Sequence, residues 1–202
     1  MKFNFTGTGV ALVTPFHKNG NIDFCSLEKV VEHTIAGNVD YLVALGTTGE
    51  TPTLSNDEKL AVVDFVIECA AGRVPVVVGV GGNNTQEIID KIKTMSFEGI
   101  AGILSVSPYY NKPQQKGIYY HYKTVSSVCP VPMILYNVPG RTGANMSAET
   151  TLQLASECDN VVAVKEASGN VNQIMEIIRC KPDNFHVISG DDAITLPLIS
   201  LG

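Results

Sequence analysis

The chain has 202 residues, 45% of them hydrophobic and 17% charged, which is ample material for a core and excludes a disordered segment. Its net charge of -6 is offset by no basic cluster, which excludes a general nucleic-acid or anionic-membrane binder. No apolar run approaches the roughly 18 residues that span a bilayer, and Met1 to Gly9 lacks a signal-peptide core, so the chain reads as cytoplasmic.

In chain order, β-rich runs recur at Gly9 to Phe16, Tyr41 to Leu45, Val74 to Val80, Gly99 to Ser105, Val131 to Tyr136, Val161 to Lys165 and Phe185 to Ser189. Stretches of helical period lie between them. Asp23 is a plausible N-cap for a first helix over Phe24, Leu27, Val30, Val31, Thr34 and Ile35. Ser55 and Glu58 make a capping box for a second, whose face reads Leu60, Val63, Val66, Ile67 and Ala70 and which Gly72 stops. Thr85 opens a third over Ile88, Ile89, Ile92 and Met95. Lys112-Pro113 starts a fourth, Ser147 caps a fifth, and Asn170 with Gln173 caps a sixth.

Strand and helix alternate at a pitch of roughly 25 to 34 residues, which implies repeated βαβ units and a parallel sheet. Two architectures fit, an open doubly wound sheet and a closed (β/α)8 barrel. The even spacing favours the barrel, as does Gly79-Val80-Gly81-Gly82-Asn83-Asn84, which lacks the last glycine of a dinucleotide fingerprint. A barrel of this kind takes about 250 residues, and only seven strands are present. The expectation is therefore one α/β domain over residues 1 to 202, truncated before the eighth strand and the C-terminal helices. Unpaired edges on the first and seventh strands predict that these residues, if they are the whole polypeptide, fold poorly or are inactive, whereas a longer parent chain is active.

Val161 to Ser168 carries one lysine, Lys165, in an otherwise apolar strand. Side chains alternate along a strand, so Lys165 shares a face with Val161 and Ala163, while Val162, Val164 and Glu166 point the other way. In a sheet covered on both faces the ammonium loses hydration and its pKa falls, leaving a free amine able to form a Schiff base with a carbonyl. A lysine whose head snorkels to solvent gives the same sequence.

Barrel chemistry gathers at the C-terminal ends of the strands. Gly46-Thr47-Thr48-Gly49-Glu50 follows the second strand and offers hydroxyls and N–H groups to a carboxylate, or simply an ordinary glycine turn. Ser107 to Pro113 follows the fourth strand and Tyr136 to Gly143 the fifth; both carry tyrosines, which relay protons or merely rim a core. Arg141 supplies a bidentate fork for a carboxylate or pairs with a surface acid. Ser189-Gly190-Asp191-Asp192 lines the mouth or caps a helix. Together these residues suit Schiff-base chemistry on a small keto acid. The five cysteines form no Cys-x-x-Cys pair and the four histidines no metal-binding spacing, so reduced thiols and no metal site are expected.

On these motifs the chain resembles the 4-hydroxy-tetrahydrodipicolinate synthase (dihydrodipicolinate synthase) family, in the pyruvate-dependent class I aldolase superfamily with N-acetylneuraminate lyase. Gly46 to Glu50 matches the family's G-T-T-G-E, Tyr136 to Gly143 its Y-N-x-P-x-R-T-G, and Val162 to Ser168 its lysine strand. Gly7 to Phe16 also fits, and the likeness covers essentially the whole chain. The resemblance implies that Lys165 forms an imine with pyruvate and that no separate cofactor is used. It implies that Thr47 and Thr48 hold the pyruvate carboxylate, and that Thr48, Tyr136 and Tyr110 relay protons, Tyr110 reaching into a neighbouring subunit. Arg141 would hold the carboxylate of L-aspartate 4-semialdehyde, Gly190 would lie beside the imine, and the full-length assembly would be a homotetramer. Neuraminate lyases lack the arginine of Y-N-x-P-x-R-T-G, so Arg141 separates the synthase from that related aldolase. An inactive relative is the remaining alternative, and the intact Lys165, Tyr136, Tyr110 and Thr48 set argues against it. Asn83, Glu87 and Tyr109 match a lysine-effector site of some members, but Asn56 and Lys59 stand where that site has histidines, and Lys59 would repel a cationic effector.

Overall fold

The computed structural model describes residues 5–202. Residues 1–4, part of the Met1 to Gly9 stretch read above for a signal peptide, lie outside the described residues. Two compact units are present, one running up to Val80 and including Phe97–Leu104, the other comprising Gly81–Ser96 and Ser105–Gly202.

In the first unit β1 (Gly9–Ala11), α1 (Phe24–Ala36), β2 (Tyr41–Ala44), α2 (Asn56–Ala70) and β3 (Val76–Gly79) lead to β4 (Ile100–Val106), whose last two residues belong to the second unit. The strands pair in parallel in chain order, with Val43 between Ala11 and Val77. α1 starts where the Asp23 carboxylate accepts the Ser26 N–H at 3.0 Å. α2 starts at a reciprocal box: Ser55 Oγ accepts the Glu58 N–H at 3.2 Å, and Glu58 Oε2 accepts the Ser55 N–H at 2.7 Å. Leu27, Val31, Leu42, Val66, Val77 and Ile103 pack the core at 0–1% exposure, which makes their burial the main favourable term here.

Two expectations are corrected in this unit. The first strand is Gly9–Ala11 and does not run on to Phe16, since Pro15 has no N–H with which to carry the ladder that far. Phe16 instead makes an antiparallel bridge to Ile22. On α2 the buried positions are Val62, Val63, Val66 and Ala70, while Leu60 is 52% exposed. At about 100° per residue Leu60 falls roughly 120° round the axis from Val66, off the buried face.

The second unit holds α3 (Thr85–Thr94), the end of β4, α4 (Gln115–Ser126), β5 (Met133–Asn137), α5 (Pro139–Thr142) and α6 (Ala148–Glu157). β6 (Val161–Glu166), α7 (Val171–Cys180), β7 (His186–Ser189) and α8 (Thr195–Ile199) follow. β5, β6 and β7 run parallel in chain order, and Ser107 N–H donates to Tyr136 O at 3.0 Å beside the end of β4. Ser147 and Asn170 cap α6 and α7 through Thr150 N–H and Gln173 N–H. Ile118, Tyr122, Met133, Leu135, Leu154, Ile174 and Phe185 are buried to 0–1% exposure.

The fourth helix begins at Gln115, not at Lys112-Pro113. Tyr110 and Lys112 both have left-handed backbones, φ +70° and +45°, which no right-handed helix accommodates. The short α5, unforeseen in the sequence, starts on Pro139 and ends at Gly143 with φ +70°. Seven strands among the described residues, parallel and joined by helices, make this an α/β chain of the (β/α)8 class. Among the described residues no helix is long and apolar enough to cross a membrane.

Candidate active site

The register of β5, β6 and β7 sets Tyr136 beside Lys165 and Lys165 beside Ile188. Lys165 is half-buried, and its Nζ stands 4.8 Å from the centroid of the Tyr136 ring. The ring face attracts an ammonium. Burial and then the positive charge of Arg141 hold the lysine below its ordinary pKa, with Asp192 pulling the other way.

Gly190 comes from the end of β7, where its N–H donates to Glu166 O at 2.7 Å. A Cβ there would stand 2.8 Å from Lys165 Cε, 3.1 Å from its Cγ and 3.0 Å from Ala167 Cβ. The absence of a side chain is what lets the lysine stem lie against this backbone. Arg141 is exposed on α5, one turn beyond Tyr136 along the chain. Lys165, Tyr136, Arg141 and Gly190 are thus gathered in the second unit.

Thr47 and Thr48 belong to the first unit, in a single 3-10 turn, Thr47–Gly49, that follows β2. That turn is pinned by Thr14 Oγ1 donating to Gly49 O at 2.8 Å and by Thr51 Oγ1 donating to Leu45 O at 2.7 Å. Thr47 is half-buried and Thr48 exposed. Tyr110 presents its ring to solvent at 86% exposure, whereas Tyr109 is half-buried. Asn83 precedes α3, Glu87 lies exposed in its first turn, and Asn111 Nδ2 donates to Asn83 O at 3.2 Å, holding the tyrosine loop against the start of α3.

The face of β6 behind Lys165 carries a network to which the sequence reading gave no role. Glu166 and Asn137, neighbours in register, are 0% and 1% exposed. Asn137 Nδ2 donates to Glu166 Oε1 at 2.7 Å, and Gln173 Nε2 and Ser168 Oγ donate to Oε2 at 2.9 and 3.1 Å. Burial pushes the Glu166 carboxyl above the usual carboxylate range, against the pull of these donors. The signal in the sequence was the adjacency of Lys165 and Glu166: opposite faces of one covered strand each carry an ionisable group, and the buried one needs partners.

A sequence model described as the dihydrodipicolinate synthetase family matches residues 4–202. The chain belongs to that family. It is 56% identical over 199 residues to a 4-hydroxy-tetrahydrodipicolinate synthase of Parabacteroides distasonis, covering 98% of this chain and 67% of the relative. The crystal structure of dihydrodipicolinate synthase from Aquifex aeolicus superposes with a TM-score of 0.93 at 43% identity, over 98% of this chain and 67% of that one. That of the chloride-inhibited enzyme from Acinetobacter baumannii, complexed with pyruvate, gives 0.94 at 43% identity, over 98% and 68%. The chain thus spans about two thirds of the length of these relatives.

Proposed function

We propose that this protein condenses pyruvate with L-aspartate 4-semialdehyde to give 4-hydroxy-tetrahydrodipicolinate, as a Schiff-base lyase of lysine and diaminopimelate biosynthesis. The observation that carries the reading is Lys165 itself, half-buried against the Tyr136 ring, below its ordinary pKa, with Gly190 leaving room at its stem. Membership of the family and 56% identity to a named synthase support it. A relative of known structure bound to pyruvate supports the choice of keto acid.

In this reading the neutral Lys165 amine attacks the keto carbon of pyruvate and the carbinolamine loses water as an imine. A methyl proton is removed to give an enamine, whose carbon attacks the aldehyde carbon of the second substrate, the aldehyde oxygen taking up a proton. The second substrate's amine then adds to the imine carbon and expels Lys165, closing the ring. One water is released overall. Tyr136, in contact with the lysine head, is the group suited to move protons at the imine nitrogen. Arg141 holds the semialdehyde carboxylate through a charge-assisted fork. The family resemblance alone assigns the pyruvate carboxylate to Thr47 and Thr48 and the rest of the relay to Thr48 and Tyr110. The same resemblance suggests a cytoplasmic homotetramer with no cofactor beyond the covalent imine, although one structural neighbour is described as a monomeric variant.

The test is intact mass after incubation with pyruvate and borohydride, which reduces an imine to a stable adduct. A pyruvate-sized gain that is absent in Lys165→Ala is expected. No gain in a folded protein overturns the reading.

A further inference from the structure

Glu166 follows Lys165 in sequence but faces away from it, so its buried carboxyl never meets the reacting side of β6. Its partners tie together a different part of the site. Asn137 Nδ2 donates to Glu166 Oε1 at 2.7 Å while Asn137 Oδ1 accepts the Met146 N–H at 2.9 Å. One side chain therefore joins the two ends of the segment from Asn137 to Met146, which contains α5 and Arg141. Gln173 forms a second arm from α7: its Nε2 donates to Glu166 Oε2 at 2.9 Å and to Met146 O at 3.1 Å, and its Oε1 accepts Asn145 Nδ2 at 2.8 Å. These bonds fix both amides with their NH2 groups toward the carboxyl. A carboxyl, with acceptors on both oxygens, satisfies both amides at once; a neutral amide in its place satisfies only one.

We infer that Glu166 is a positioning residue: by holding Asn137 and Gln173 it closes the segment from Asn137 to Met146 and so sets where Arg141 stands with respect to Lys165. Its catalytic consequence rests on the Schiff-base reading; the closure itself does not.

Two measurements on Glu166→Gln separate these levels. Hydrogen exchange at the Met146 amide, whose acceptor is Asn137 Oδ1, is expected to quicken by about tenfold or more as the loop opens locally. Exchange unchanged from the native protein overturns the inference. The second measurement is the pH profile of borohydride-trapped pyruvate. The groups facing Lys165 are Tyr136 from β5, Arg141 from α5 and Asp192 beyond β7. If Arg141 drifts, the ammonium loses a repulsive neighbour, the profile moves to higher pH, and trapping at pH 7 falls by about threefold, half a pH unit. Arg141→Ala should do the same, and the double variant should do no more than Arg141→Ala alone. Shifts that add, or a folded Glu166→Gln with an unmoved profile, reduce Glu166 to a structural core group and overturn the inference. Gln173→Ala, at a half-exposed position, should repeat both effects more weakly and judges the inference if Glu166→Gln does not fold. If the native protein traps no pyruvate, the Schiff-base reading fails, while exchange at Met146 still decides the closure.

Discussion

Gly190→Ala tests the site at its tightest point. The added methyl carbon would lie 2.8 Å from Lys165 Cε and 3.0 Å from Ala167 Cβ. The lysine stem is flexible and yields first; Ala167, fixed on the backbone just past β6, yields only if the strand end moves. Relief of the Cε contact requires a displacement of about 0.6 to 1 Å toward ordinary van der Waals separation. Overpacking of this size costs about 1–3 kcal/mol, which lowers Tm by roughly 2–4 °C per kcal/mol for a chain of this length. The larger effect falls on chemistry, since misplacing a reacting group by about 1 Å costs on the order of 10²-fold in rate. The assay is the initial rate of pyruvate trapping by borohydride, read by intact mass at fixed pH beside a thermal melt. A folded Gly190→Ala protein that traps pyruvate at the native rate would refute the idea that this glycine makes room for the lysine.

Other expectations follow from single observations. Trapping in the native protein should rise with pH through a midpoint below the ordinary lysine value of about 10.4, because burial and Arg141 both disfavour the ammonium; a midpoint at or above that value contradicts the placement of Lys165. His121 is 5% exposed, donates or accepts through Nδ1 with Thr85 Oγ1 at 2.8 Å, and is pushed by burial from 6.5 to about 4. The unfolded chain therefore binds the extra proton first as pH falls from 6.5 toward 4, and up to about 3 kcal/mol of stability is lost over that window. Denaturant midpoints at pH 7 and 4.5 should converge in His121→Asn relative to the native protein; equal pH dependence in the two contradicts the burial argument. Ser55→Ala should cost about 1 kcal/mol by removing the α2 cap, visible as a lower denaturant midpoint with unchanged slope. For the effector reading of Asn83, Glu87 and Tyr109, the initial rate should fall with millimolar L-lysine and recover in Glu87→Gln; no response to L-lysine ends that reading.

Much of the fold was legible because the β runs and caps obey local rules. Asp23, Ser55, Ser147 and Asn170 each cap the helix their spacing indicated. Lys165 was legible for the opposite reason: it breaks the apolar pattern of β6, and a broken local rule flags a site. Tyr136 followed from the strand end, but its contact with the lysine depends on register, which the sequence leaves open. The errors have separate causes: helical phase for Leu60, the missing N–H of Pro15 for the end of β1, and for the start of α4 the left-handed turns at Tyr110 and Lys112, which are held by surroundings that no short window contains. The Asn137, Glu166 and Gln173 network was hidden because its members lie 29 and 7 residues apart, and hydrogen bonds between such distant positions have no periodicity to read.

The back-to-back arrangement on β6 also bears on how the chain folds. A slip of β6 by one residue would exchange its two faces, setting a carboxyl against the electron-rich face of Tyr136 and an ammonium among the NH2 groups of Asn137 and Gln173. Both encounters are repulsive, so the misaligned pairing carries two penalties that the native pairing avoids. Apolar strands of near-uniform Val and Ala slide easily past one another; here a pair of adjacent ionisable side chains gives an otherwise featureless ladder a single alignment, and the sequence that makes the nucleophile also proofreads its delivery.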